Sequence, residues 1–165
     1  PLDAVVAQTC DDWQSHDPAR RVFQRALAAG ETAVEFEAEH LRRVLVNLLD
    51  NAVRYRGEGV DSLCVSTQVD ADGQAMLQVW SDGAPLDKSV ERHLFEPFFS
   101  SESRSSGLGL YICRELCHRH GASISYQRRS RALARGETGG NAFTVSFRRA
   151  SKPGESLSLF DTIVV

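Results

Sequence analysis

The segment from Glu39 to Tyr55 has the most regular apolar pattern in the chain and constrains the fold more than any other feature. Its apolar side chains recur at intervals of three and four residues, at Leu41, Val44, Leu45, Leu48, Leu49 and Ala52. This spacing places them on one face of an α-helix, and such a face must be buried against another layer. The sequence therefore predicts an amphipathic helix at the centre of the core.

The polar side of the same helix carries a second pattern. Asn47 and Asn51 are four residues apart and share a face, with Arg54 one turn further on and Tyr55 beside it. Amide oxygens bind hard cations, and a guanidinium group binds phosphate. A solvated face without any ligand would use the same residues, so this helix alone leaves both interpretations open.

Helical and strand patterns occupy the rest of the chain. Further helices are predicted from Leu2 to about Gln14 and from Leu108 onward, with Gly121 placed just after the end of the second. Period-two patterns predict strands within 21–27, 30–36, 63–69, 75–79, 122–128 and 141–148. Helices on one side of a mixed, mostly antiparallel sheet accommodate this order. The predicted fold class is therefore α+β, a sandwich of two layers.

The polar stretches separate these elements. We predict loops at 81–87 and 129–140, and we divide the chain into one domain over 1–149 and a tail over 150–165. A net charge of −3 over 165 residues, with no basic stripe, gives no electrostatic reason to expect a nucleic-acid partner. A local cluster of arginines is interpreted as part of a solvated loop rather than as an anion-binding patch; it comprises Arg128, Arg129, Arg131 and Arg135.

The cysteines and the hydropathy pattern indicate the cellular compartment in which the protein is expected. Cys10, Cys64, Cys113 and Cys117 are scattered without a paired motif, which predicts reduced structural thiols and no zinc site on them. Cys113 and Cys117 are four residues apart and should both face the core. No apolar run reaches the roughly 18 residues of a membrane span, and the start of the chain lacks a basic signal region. We expect a cytoplasmic location, for a chain that could be cut from a longer one.

Five motifs follow one another along the chain, and their order is more specific than any one of them. They read LRRVLVNLLDNAVRY, LQVWSDGAPLD, HLFEPFFSS, GLGLYICRELCHRHG and GGNAFTVSF. Together they resemble the N, G1, F, G2 and terminal boxes of the ATP-binding catalytic domain of sensor histidine kinases, especially the nitrogen-regulation and type IV pilus sensor kinases. The resemblance covers about residues 30–149. It implies the Bergerat fold that gyrase B, Hsp90 and MutL share.

The resemblance implies a role for each matching residue. Asn51 would bind the Mg²⁺ that bridges the nucleotide phosphates, with Asn47 in support, and both would belong to the catalytic centre. Arg54 would contact phosphate, and Tyr55 would flank the nucleotide. The loop 100–106 would be the ATP lid, and phosphate would meet the start of the following helix. The other ATP-binding positions implied are Ser81, Asp82, Gly83, Leu86, Phe98, Ser106, Gly107, Leu108, Gly109, Leu110 and Asn141.

The implied reaction transfers the γ-phosphate of ATP to a histidine on a separate two-helix dimerisation domain. The resemblance also implies a membrane-anchored homodimer that signals to a response regulator. His40 lacks the acid and proline of the family's acceptor motif and is interpreted as an ordinary histidine on a helix face. Phe95, Phe98 and Phe99 would anchor the lid and dock against the partner helical domain, although core aromatics would have the same pattern.

Asn47 also bears on the reaction class. In the hydrolytic relatives, a glutamate four residues before the Mg²⁺-binding asparagine activates water. Asn47 occupies that position here, and an amide cannot act as a general base. This favours phosphoryl transfer to an external acceptor over ATP hydrolysis.

The G1 motif departs from the family pattern D-x-G-x-G. Ser81 occupies the position of the aspartate that accepts the adenine amino group, and Pro85 that of the second glycine. Asp82 comes one residue late, so it should point to the opposite face of the strand unless the strand end is bulged. Losing a charge-assisted hydrogen bond costs roughly 1.5–3 kcal/mol, or about 10- to 100-fold in affinity. Asn141 replaces the threonine that helps to bind adenine.

Two functions of different class therefore remain open. One is a working histidine-kinase domain with weakened or altered recognition of the base. The other is a degenerate domain that binds nucleotide weakly or not at all and has a regulatory or structural role.

Overall fold

The computed structural model describes residues 1–18, 21–98 and 108–148. Its helices are α1 (Leu2–Ser15), α2 (Ala38–Tyr55), α3 (Lys88–Arg92) and α4 (Gly109–Arg119), with a 3₁₀ turn at Val60–Ser62. Its strands are β1 (Gln24–Leu27), β2 (Leu63–Val69), β3 (Ala75–Asp82), β4 (Ser123–Leu133) and β5 (Gly136–Ser146). The predicted lid and tail, together with Phe99, Ser106 and Gly107, lie outside the described residues.

The five strands form one sheet in the order β1-β2-β3-β5-β4. β1 pairs with β2 in parallel, and the other three neighbouring pairs are antiparallel. The last strand in the sequence, β5, thus lies between β3 and β4. This arrangement confirms the predicted mixed, mostly antiparallel sheet.

The core lies between the sheet and the apolar face of α2. All six apolar residues that the sequence pattern assigned to this face are buried: Leu41, Val44, Leu45, Leu48, Leu49 and Ala52. They pack in one cluster with residues of α1 and with alternate residues of the strands, among them Leu77, Val79, Phe143 and Val145. Burying each such aliphatic or aromatic side chain contributes about 1.5–3 kcal/mol, so this layer contact dominates the stability. The predicted two-layer α+β sandwich is confirmed.

Polar contacts attach α1 to the remainder of the domain. Asp3 accepts hydrogen bonds from the backbone N–H groups of Ala29 and Gly30, both at 3.0 Å, and from the Thr67 hydroxyl at 2.6 Å. At the other end of α1, the Trp13 indole N–H donates to Asp50 of α2 at 2.9 Å. Side chains at both ends of α1 therefore hold the helix against the sheet and α2.

Gly121 terminates α4 as predicted. Its φ of 70° is left-handed, a conformation that glycine adopts without a steric penalty. The N–H of Gly121 donates to His118 O at 3.1 Å, and that of Ala122 donates to Cys117 O at 2.8 Å. This is the Schellman pattern, which satisfies the last carbonyl groups of the helix and fixes the position of His120 at its end.

The four cysteines are buried and unpaired. Cys113 and Cys117 both belong to the core cluster, as their helical spacing predicted. Burial raises the pKa of Cys113 and of Cys117 to about 12 and that of Cys10 to about 11. These thiols are therefore protonated and unreactive at neutral pH.

Three predictions of local structure are wrong. The stretch 30–36 contains a turn and an isolated bridge at Val34 instead of a strand. β3 continues through Ser81 and Asp82, which were placed in a loop, because both residues pair with β5. The predicted polar loop 129–140 is a β-hairpin, since β4 extends to Leu133 and β5 begins at Gly136. Both faces of that hairpin carry polar residues, so no apolar alternation shows it in the sequence.

In the part of the chain that the structure describes, no helix is long and apolar enough to cross a membrane.

Candidate functional site

The helices α2 and α4 bring together the residues predicted to bind metal and phosphate. The Asn47 side-chain amide donates a hydrogen bond to the backbone carbonyl of Gly109, the first residue of α4, at 3.3 Å. Leu108 directly precedes α4, and its carbonyl accepts from the N–H of Ile112 at 2.8 Å. The start of α4 is thus attached to the middle of α2. A helix start presents N–H groups that have no acceptor within the helix and attract anions.

Asn51 lies one turn beyond Asn47 on α2 and is half-buried. Among the residues that the structure describes, its side-chain amide makes no hydrogen bond, so its oxygen is available to a ligand. Mg²⁺ prefers oxygen ligands and usually takes one or two from the protein, the others coming from phosphate and water. A single amide oxygen beside a helix start fits this preference. Arg54 and Tyr55, at the end of the same helix, are exposed, Tyr55 by 38%.

Three polar residues form a row across the sheet on the side of the helices. Ser81 of β3 lies opposite Asn141 of β5, and Asn141 lies opposite Arg128 of β4. Ser81 and Asn141 are only 5% and 7% exposed. Ser81 follows Leu77 and Val79 at intervals of two residues, so it shares their face of the strand. The residue in the position of the family's aspartate therefore does face the helix layer.

Asp82 lies on the opposite face of the sheet from Ser81. β3 pairs regularly with β5 up to Asp82 and Gly140, so the strand end contains no bulge that would turn the carboxylate toward the helices. The carboxylate accepts a hydrogen bond from the N–H of Gly57 at 2.7 Å and forms an ion pair with Arg135. Both oxygens of Asp82 are therefore engaged in contacts within the protein.

The β4–β5 hairpin holds the loop that follows β3. The Asn141 amide donates to Ala84 O at 3.1 Å, and Arg128 donates to Gly83 O. The Tyr126 hydroxyl donates to the Asn141 side-chain oxygen at 2.6 Å and accepts from the backbone N–H of Leu86. Burial raises the pKa of Tyr126, which keeps its hydroxyl protonated as a donor. The loop over residues 83–86 is consequently fixed by side chains of the last two strands.

Gly83 allows this loop to approach the end of α2. A Cβ atom at Gly83 would lie 3.3 Å from the Tyr55 carbonyl oxygen and 3.4 Å from the Asn141 amide nitrogen. An alanine here would require the loop or its neighbours to move by a few tenths of an ångström. The absence of a side chain at Gly83 thus allows Ser81, the loop 83–86 and the polar end of α2 to lie close together.

Sequence reasoning missed Tyr126, Arg128 and Arg135 as parts of this region. The arginine cluster is exposed at Arg128, Arg129 and Arg135, as predicted, but it belongs to the β4–β5 hairpin and not to a loop. Arg128 binds the loop 83–86, Arg135 pairs with Asp82, and Arg131 lies over the ring of Trp80 at 5.6 Å. One signal was present in the sequence: Tyr126 and Arg128 follow Ile124 at intervals of two residues. That alternation places them on its face of the strand.

The F motif contributes one packed and one exposed aromatic residue. The Phe95 ring packs edge-on against Phe143 of the core, with centroids 6.2 Å apart. Phe98 is 78% exposed and has a φ of 62°, a region that bulky residues rarely adopt. Leu86 and Leu110, both predicted to contact the nucleotide, are half-buried.

Curated relatives are sensor proteins and sensor kinases. Over 130 residues, the chain is 35% identical to the sensor protein kinase PilS of Pseudomonas aeruginosa, covering 76% of this chain and 23% of PilS. It is 32% identical over 127 residues to the sensor protein KdpD of Escherichia coli, covering 74% of this chain and 13% of KdpD. The chain therefore spans a small part of the relatives that it matches.

Solved structures of low identity share the fold. The catalytic domain of histidine kinase ThkA in a nucleotide-free form superimposes with a TM-score of 0.73 at 23% identity, over 90% of this chain and 92% of that one. The mycobacterial sensor histidine kinase MprB superimposes with a TM-score of 0.70 at 21% identity, over 90% of this chain and 97% of that one. The fold is thus the Bergerat fold that the sequence motifs implied.

A family model described as histidine kinase-, DNA gyrase B-, and HSP90-like ATPase matches residues 36–151, which include α2, the loop 83–86 and α4. The chain belongs to this family of ATPases.

Proposed function

We propose that the chain is the ATP-binding catalytic domain of a sensor histidine kinase, which transfers the γ-phosphate of ATP to a histidine on a separate dimerisation domain. The observation that carries the proposal is the contact of Asn47 with Gly109, because it joins the asparagine face of α2 to the start of α4. Sensor kinases among the relatives support the assignment. We take 1–149 as the domain and 150–165 as its tail.

Mg²⁺–ATP would bind between α2, the loop 83–86 and the start of α4. Asn51 would hold the Mg²⁺, which neutralises phosphate charge when bound, and Arg54 would contact the phosphates from the end of the helix. Among the described residues, a Cβ atom at Gly109 would meet no atom within 4 Å, which leaves space in this part of the structure for a phosphate group to approach the backbone at the start of α4. Full-length ShkA, which shares the fold, is a complex with AMPPNP, an ATP analogue.

Asn47 supports transfer in preference to hydrolysis. Its amide has no basic lone pair with which to activate water, and its nitrogen is engaged with Gly109 O. The acceptor histidine would come from the dimerisation domain of the same protein, in a homodimer on the cytoplasmic side of the membrane. The phosphate would then pass to a response regulator. Phe98 is the exposed aromatic residue on which the dimerisation domain would dock.

Recognition of adenine would rest on Ser81 and a polar network rather than on an aspartate. Asp82 is engaged with Gly57 and Arg135 on the other face, so its contribution would be to hold the strand end. The Asn141 side chain donates one N–H to Ala84 O, and its oxygen accepts from Tyr126 and Arg128. We therefore expect weaker binding of the base than in relatives with the full D-x-G-x-G motif. This observation also motivates the second candidate function, a degenerate regulatory domain.

Calorimetric titration of the chain with Mg²⁺–ATP separates the two functions. The kinase proposal predicts saturable binding at millimolar ATP or below, lost in Asn51→Ala and retained in Gln68→Ala, which removes an exposed amide from β2. Release of inorganic phosphate should stay at background, because Asn47 has an amide at the position of the glutamate that activates water in the hydrolytic relatives. No binding by the unaltered chain at millimolar Mg²⁺–ATP would overturn the kinase proposal in favour of the degenerate domain.

A further inference from the structure

Glu37, His40 and His120 form a cluster of metal-ligating groups away from the proposed nucleotide site. One donor atom from each lies within 4.8 Å of the others. His40 Nδ1 is 2.8 Å from His120 Nε2 and 3.4 Å from the nearer Glu37 oxygen. The cluster lies where the start of α2 meets the end of α4. Asn47 and Gly109 meet about two turns of α2 further along the same helix pair.

We propose that Glu37, His40 and His120 bind a divalent transition-metal cation, with Zn²⁺ as the ion that this donor set suits. Two imidazole nitrogens and one carboxylate are ligands that zinc accepts, and sites with three protein ligands keep a further position for water. The spacing of Glu37 and His40 is Glu-x-x-His, which places both side chains on one face of the start of α2. His120 approaches from the other helix.

The fit requires the donor separations to change by at most about 1.5 Å, because the three donor atoms lie within 4.8 Å of one another and a shared zinc needs about 3.3 Å. Donor atoms bound to one tetrahedral zinc at about 2.0–2.1 Å are about 3.3 Å apart. The pair His40–Glu37 is already at that separation, while the nitrogens of His40 and His120 are closer by about 0.5 Å. At 2.8 Å one of these two nitrogens donates a proton to the lone pair of the other. When a metal ion binds, that proton moves to the second nitrogen of its own ring, so that both facing nitrogens present a lone pair to the ion.

His120 is already oriented for this role. The Phe36 ring packs against the imidazole with centroids 4.3 Å apart, and Phe36 in turn packs against Phe147 of the core. The Schellman turn fixes the backbone of His120 at the C-terminal end of α4, where a positive charge is favoured.

The charges around the cluster permit a cation. The Glu37 carboxylate supplies the compensating negative charge at the start of α2, and Glu39 adds another in the first helical turn. Arg119 and Arg148 also lie near His120, and Arg148 forms an ion pair with Glu35. Glu37 is exposed, so an ion can reach the site from solvent.

Calorimetry with Zn²⁺ alone tests the proposal on the reduced, chelator-treated chain without nucleotide. We expect one equivalent to bind to the unaltered chain, and His40→Gln and His120→Gln each to weaken binding by about 100-fold. His118→Gln is the matched control, because His118 is an exposed histidine of α4 outside the cluster. Equal affinity of the unaltered chain and both cluster variants would overturn the proposal, as would the same loss in His118→Gln.

A second measurement does not depend on the folding of variants. In the unaltered chain, the NMR signals of the imidazole rings of His40 and His120 should shift on addition of one equivalent of Zn²⁺, while those of His118 stay in place. Zinc-induced shifts confined to other histidines, or no shift at all, would contradict the site.

Discussion

Ser81 and Asn141 lie directly opposite each other on β3 and β5, both nearly inaccessible to solvent and both facing the helix layer. The Ser81 hydroxyl makes no hydrogen bond among the residues that the structure describes, whereas the side chain of Asn141 is held by Ala84, Tyr126 and Arg128. Of this pair, Ser81 is the residue whose whole side chain is available to a ligand.

Ser81→Asp should therefore strengthen the binding of Mg²⁺–ATP. A carboxylate at this position accepts a charge-assisted hydrogen bond from an amino group, and the gain is about 10- to 100-fold in affinity. Calorimetry of both forms measures it. Ser125→Asp, on an exposed position of β4, is the matched control and should leave the affinity unchanged. If Ser81→Asp remains folded by circular dichroism but binds no more tightly, Ser81 does not face the base.

Tyr126→Phe should lower the free energy of unfolding by about 1–2 kcal/mol. The change removes the hydrogen bond to Asn141 and leaves the N–H of Leu86 without its acceptor. Urea denaturation gives the difference. Tyr111→Phe on α4 serves as the control, because the Tyr111 hydroxyl makes no hydrogen bond among the described residues. Similar losses in both variants would show that the hydroxyl of Tyr126 does not hold the loop 83–86.

Gly140→Ala should destabilise the domain by about 2–3 kcal/mol, because a Cβ atom there would lie only 2.3 Å from Trp80 Cε2. Trp80 is fully buried and its indole N–H donates to Arg129 O at 2.9 Å, so the ring has no room to move aside. Gly139→Ala is the comparison. Its Cβ atom would meet the flexible end of Arg128, and the cost should stay below about 1 kcal/mol. Thermal unfolding of the two variants tests the ranking, and equal losses would contradict it.

The buried thiols predict a loss of stability at alkaline pH. The pKa of Cys113 is raised from 9.0 to about 12 by burial, so the folded chain keeps the proton after the unfolded chain has released it. The stabilisation is fully present below about pH 9 and is lost as pH rises toward the folded value. Urea denaturation between about pH 8 and 10.5 should show a shallower decline for Cys113→Ala than for the unaltered chain. Parallel declines would mean that this thiol does not contribute.

Periodicity along single elements predicted most of the fold. The stripe from Leu41 to Ala52 required a buried face, and Gly121 marked the end of α4, because each feature depends only on local geometry. The hairpin over 129–140 could not be read in this way. Its strands are specified by pairing across the sheet, and polar residues such as Arg129 and Thr138 cover it.

In the candidate site, too, local spacing predicted some features, whereas contacts between residues distant in sequence could not be predicted. The spacing of Asn47 and Asn51 places them on one helical face, and parity along β3 separates Ser81 from Asp82. By contrast, the partners of Asp82 are Gly57 and Arg135. Both are distant from Asp82 in the sequence, and no spacing pattern links them to it. The approach of His40 to His120 is of this second kind, since 80 positions separate them.

The position of β5 has a consequence for how the protein is made. Since β5 lies between β3 and β4 but comes last of the five strands, β4 leaves the ribosome before the strand that joins it to the sheet. The first three strands and α2 are by then available, with the loop 83–86 still lacking Asn141. A chain that stops before residue 141 can pair β1, β2 and β3 but lacks the side chain of Asn141 that holds the loop 83–86. A chain that terminates upstream of β5 should therefore remain incompletely folded and be degraded by proteases, rather than form a complete domain of lower stability.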